Sequence, residues 1–101
     1  MSDLKYSINA MYNGDRETIL KGISSKTQIM VANAIIAGTQ QGITDTVFVD
    51  ELKKLVSNTE IILMGIPISD IAIAALDILG ITKYNGDDEY IHSLITSKLA
   101  F

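Results

Sequence analysis

The sequence predicts a single all-α domain over residues 1–101, either a short stack of antiparallel helical hairpins or an irregular helical bundle of five to six helices. Three observations carry this. Apolar residues recur at spacings of three and four, helix-capping residues precede those runs, and glycine or asparagine closes them. With 101 residues the chain is long enough for one hydrophobic core and short for two. The 48% hydrophobic residues provide apolar surface to offset chain entropy, and the absence of cysteine excludes a disulfide scaffold.

The first signal along the chain is Tyr12-Asn13-Gly14-Asp15, where Asn-Gly marks a turn and Asp15 is placed to cap a helix. That helix puts Ile19, Leu20 and Ile23 on one side and sets Glu17 four residues before Lys21 on the other. Ser25-Lys26-Thr27-Gln28 has the form of a capping box and starts a helix running toward Gln41, with Gly42 placed to end it. This helix is apolar on nearly every face, which predicts that other helices surround it. Thr44 or Asp45 opens the next helix, with Phe48, Leu52, Leu55 and Val56 inward and Ser57-Asn58 closing it. Glu60 to Ile68 reads as a short helix ended by Gly65 and Pro67, in preference to a buried strand that would have no partner strand. Ser69 or Asp70 opens an apolar helix that ends at Gly80, and a last helix runs from Asp87 toward Lys98. The motif of Tyr12 to Ile23 recurs at Tyr84 to Ile95, 72 residues on, so both copies predict turn, cap and helix.

Met30-Val31-Ala32-Asn33-Ala34-Ile35-Ile36-Ala37-Gly38 and Ala72-Ile73-Ala74-Ala75-Leu76-Asp77-Ile78-Leu79-Gly80 are two Ala-rich helices, each ending in glycine. Second helices follow them, ending Leu52-Lys53-Lys54-Leu55-Val56-Ser57 and Ile91-His92-Ser93-Leu94-Ile95-Thr96. This arrangement resembles HEAT repeats, helical hairpins whose small residues let neighbouring hairpins approach closely. The resemblance covers about residues 24 to 98 as two repeats. The chain departs from the family in lacking its usual Pro and Arg marks in the first helix and in its long 58–68 connection. It implies a protein-binding surface lined by the second helices, with Glu51, Lys54, Tyr90, His92 and Ser93 as candidate contacts.

Chemistry is sparse. Without cysteine and with one histidine there is no thiolate nucleophile, iron-sulfur ligand set or His-rich metal cluster. No phosphate-cradling glycine loop occurs, and no cofactor is expected. Asp88, His92 and Ser93 or Thr96 lie on successive turns of one predicted helix, which lacks the convergence a catalytic triad requires. Asp87-Asp88-Glu89 reads as acids complementing a helix start rather than a calcium loop. Asp70 and Asp77 fit a solvated helix face, and Tyr12 and Tyr84 fit packing beneath their turns. Tyrosine enrichment at protein contacts still makes the four tyrosines a group to follow.

The 12 acids against 8 bases disfavour nucleic acid as partner. Residues 61–81 are apolar enough to be weighed as a membrane span, yet Asp70, Asp77 and Pro67 argue against one. The N-terminus lacks a secretory pattern, so a cytoplasmic protein is expected. The 17 isoleucines against four valines fit an AT-rich bacterial or phage genome. A mean hydropathy of +0.28 implies that some apolar surface is covered by another molecule. The expected function is therefore a non-enzymatic binding module such as an adaptor, immunity protein or inhibitor. The alternative is a homo-oligomer assembled through 61–81, and a small enzyme stands third.

Overall fold

The computed structural model describes residues 3–61 and 66–83, with side chains from Ile8 onward. Among these residues the fold is an all-α bundle of α1 (Asp3–Tyr12), α2 (Arg16–Ile23), α3 (Gln28–Gln40), α4 (Thr46–Leu55) and α5 (Ile68–Ile78). The helix expected from Asp87 and the second copy of the Tyr-Asn-Gly-Asp motif lie outside the described residues. No helix of the described residues is long and apolar enough to cross a membrane.

Helix α3 is the centre. Every residue from Val31 to Thr39 is buried, and α1, α2 and α5 all pack against it. An all-round apolar helix is stable only in such surroundings. Its two buried polar side chains are satisfied locally: Asn33 Nδ2 donates to the Ile29 carbonyl at 2.8 Å and Thr39 Oγ1 to the Ile35 carbonyl at 2.6 Å. Helix α4 packs on α5 and α2, and its fully buried Phe48 ring meets α3 at Gly38.

The turns follow the local chemistry. Gly14, at φ 96°, closes α1: its N–H bonds the Met11 carbonyl while Asp15 N–H bonds Ala10, a paired closure that a left-handed residue permits. Asp15 then caps α2, its carboxylate accepting from Thr18 N–H at 3.2 Å. The Glu17–Lys21 ion pair forms at 3.2 Å across an exposed turn. The same paired closure ends α3 at Gly42, with Gly42 N–H on Thr39 and Ile43 N–H on Gly38.

Helix α1 was not anticipated, although Leu4, Ile8 and Met11 have helical spacing in the sequence, and local expectations at Ser25, at Glu60 to Ile68 and at the start of α5 are corrected. Ser25 does not form a capping box with Gln28; its Oγ accepts from Thr27 N–H at 3.0 Å, and Thr27 is the N-cap, with no side-chain cap bond. Asp45 is the N-cap of α4, one of the two expected positions, though it makes no side-chain cap bond and its carboxylate pairs with Arg16. The expected helix over Glu60 to Ile68 is contradicted at both ends. Ile61 pairs with Pro67 as an isolated antiparallel bridge, Ile68 N–H bonds the Glu60 carbonyl at 3.0 Å, and Ser69 N–H bonds that of Asn58 at 2.9 Å. Pro67 is consequently the N-cap of α5, two residues before the expected start at Ser69.

Helix α1 is held to α3 by the Tyr12 hydroxyl, which donates to Asn33 Oδ1 at 2.9 Å, and by Gln41 Nε2, which donates to the Met11 carbonyl at 2.7 Å. Met11 is fully buried, with its side chain against Gly22. Burial pushes the Tyr12 phenol up to about 12. Because the neutral phenol is favoured in the fold, its contribution is intact below the unfolded value of 10.0 and is lost as pH rises toward about 12. In urea titrations between those pH values, the wild type should lose stability more steeply than Tyr12→Phe, and parallel slopes would show that the phenol is indifferent.

A Cβ at position 38 would lie 2.5 Å from Phe48 Cζ and 3.2 Å from Ile19 Cγ2. Helix propensity favours Gly38→Ala by roughly 1 kcal/mol, but overpacking a buried ring costs about 1–3 kcal/mol, so the clash wins. Gly22→Ala meets the mobile end of Met11 and should cost less in chemical denaturation; the reverse order would show that Phe48 has room to move. Ala34 and Ala74 are both 0% exposed, so Ala34→Asp or Ala74→Asp buries an unpaired carboxylate at about 3–5 kcal/mol and should unfold the chain. Wild-type melting temperatures in both variants would show that α3 and α5 are not the core.

Candidate functional site

The described residues form a cleft of about 330 Å³ where three separate stretches of chain converge. One wall is the end of α2 and the start of α3, contributing Ser24, Ser25, Lys26 and Gln28. The opposite wall is the C-terminal half of α4 and the segment after it, contributing Glu51, Leu55, Asn58 and Glu60. Between them Ile23, Val31 and Ile68, all buried, make an aliphatic floor. The paired stretch Asn58–Ile61 holds this geometry. Asn58 Oδ1 accepts from Glu60 N–H at 2.9 Å while the Asn58 and Glu60 carbonyls take the first amides of α5.

The walls differ in charge. Lys26 stands on the first, exposed. Glu51 and Glu60 stand on the second, where Glu51 accepts from Lys54 Nζ at 3.4 Å with its own side chain 25% exposed and that of Lys54 73% exposed. Val56 and Ile61 directly follow the lining residues Leu55 and Glu60, and both are exposed, Ile61 at 56%. The cleft thus has a buried aliphatic floor and is lined by Glu51, already paired with Lys54, by Glu60 and by Lys26, with Val56 and Ile61 as exposed aliphatic neighbours in the chain.

Of the candidate contacts, Glu51 lines the cleft and Lys54 adjoins it through their hydrogen bond. Tyr90, His92 and Ser93 lie outside the described residues, as do Asp87, Asp88, Glu89 and Thr96. Tyr12 is half-buried beneath its turn, as the sequence implies, and Asp70 and Asp77 are half-buried on α5 rather than fully solvated. Among the described residues no group of three His, Cys, Asp or Glu side chains could hold a metal. A second depression, of about 460 Å³, lies over the Asn9–Asp15 turn. Its one acid, Asp15, already caps α2.

Lys26, Asn58 and Glu60 were not signalled as site residues. Each has a local reading, a helix start or a linker, and they share a site because α2 packs on α3 and α4 while Asn58 and Glu60 bond to the start of α5.

No protein-family model, curated protein or solved structure matches this chain.

Proposed function

We propose that this chain is a non-enzymatic protein-binding module, acting as an adaptor, immunity protein or inhibitor, with the cleft and its rim as part of the contact surface. The observation that carries this reading is the exposure of Val56 and Ile61 immediately beside Leu55 and Glu60 of the acidic wall. Exposed aliphatic side chains beside a partly charged depression have the composition of a protein contact: an apolar centre and a polar rim. Glu51 and Lys54 belong to that rim, and Tyr90, His92 and Ser93 remain proposed contacts on the sequence pattern.

A HEAT-like stacking is part of the proposal. It is supported by α3 and α5, the two first helices of the pattern, packing on each other while both bury their alanines. Self-assembly through 61–81 ranks second. Ile66, Ile68, Ile71 and Leu76 already sit in the chain's own core, which leaves Ile61 and Ile78 as the large aliphatic side chains of that stretch exposed among the described residues.

Affinity capture from a bacterial lysate, compared across wild type, Val56→Asp and Ile61→Asp, tests the proposal. Ile61→Asp, at an exposed position, should change stability by no more than about 0.5 kcal/mol, and Val56→Asp, at the C-cap of α4, somewhat more because its carboxylate opposes the helix dipole; each, still folded, should abolish recovery of a partner that the wild type retains. Tyr90→Ala should weaken that partner by about 2 kcal/mol, as truncation of an aromatic anchor does. A wild type that forms dimers in light scattering, reverting to monomers in Ile61→Asp, would replace the binding-module reading with self-assembly.

A further inference from the structure

We infer that the cleft takes a partner segment carrying one aliphatic side chain beside a lysine or arginine, with the basic group directed to the wall of Glu51 and Glu60. The inference rests on the binding-module reading and specifies the partner's chemistry. Its basis is the division of the cleft. The buried Ile23, Val31 and Ile68 give an entering side chain aliphatic contact, while Ser24, Ser25, Gln28 and Asn58 also line the cleft with polar groups. The second wall places two carboxylates at the cleft, and among the described residues Glu60 makes no ion pair while Glu51 is shared with the exposed Lys54.

Lys26 and Lys54 each disfavour a base beside them, which directs the basic group of the segment toward Glu60. Val56 and Ile61, each the chain neighbour of a lining residue, are exposed aliphatic side chains outside the lining itself. A polypeptide can reach both, whereas a small molecule filling the cleft leaves Ile61 in water. The formal charge of -4 also favours encounter with a basic partner.

The test is selection from a phage-displayed library of random heptapeptides on the immobilised full chain, followed by fluorescence anisotropy of the recovered peptides. The expected consensus is Leu, Ile, Val or Met within two positions of Lys or Arg. Binding should weaken about tenfold in Glu60→Lys and again when salt rises from about 50 to about 500 mM. Glu60 is exposed, so this variant keeps the fold, and an unchanged melting temperature verifies that; Glu60→Gln should fall between it and the wild type. An acidic or uncharged consensus, or peptides indifferent to Glu60→Lys yet lost in Ile61→Asp, would overturn the inference and leave the binding-module reading intact. Peptides indifferent to both substitutions, or no selected peptide at all, would overturn the cleft as a contact surface.

Discussion

Everything in the described fold depends on covering α3 from all sides. A helix with nine successive buried residues has no face to offer to water, so the remaining helices are arranged by where they can close on it. The absence of a side chain at Gly38 admits the Phe48 ring of α4, while the rest of α4 packs on α2 and α5. On the other side Met11 enters beside Gly22, bringing α1 against α2. Polar groups are tolerated inside because Asn33 and Thr39 bond to carbonyls one turn earlier and Asn33 also receives the Tyr12 hydroxyl. Among the described residues the buried polar side chains are therefore uncharged.

Helix starts and ends were legible where a local signal is also the structural cause. Asp15 and Gly42 act within one turn of their own positions, and the inward faces of α2 and α4 follow from spacing alone: Ile19, Ile23, Phe48 and Leu52 are all buried. Legibility failed wherever a distant partner decides the outcome. Asp45 caps α4 in position, but its pairing with Arg16 is invisible locally, and the reading of Glu60-Ile61 as helical missed the bridge to Pro67. The cleft is the extreme case, because residues near 25, 55 and 60 share it and no local window contains them. Glu51 was legible as an outward residue of α4, whereas its role as a wall depends on the α2–α3 turn opposite.

The long connection between α4 and α5, an irregularity against a regular hairpin repeat, is thus what builds the site. By carrying Asn58 and Glu60 past the start of α5 it hands their carbonyls to the first amides of that helix, where Pro67 provides no side-chain cap. It also leaves the Glu60 side chain and the neighbouring Ile61 facing outward. Termination of one helix, initiation of the next and presentation of a surface are performed by the same few residues.

The join at Gly14-Asp15 has a related economy with a dynamic consequence. Asp15 donates its amide to Ala10, accepts Thr18 with its carboxylate and accepts Ile19 with its carbonyl, so one residue belongs to both helices. Losing the Asp15 amide bond would therefore remove a constraint that α1 and the cap of α2 hold in common, so local opening at this junction is a property of the pair of helices.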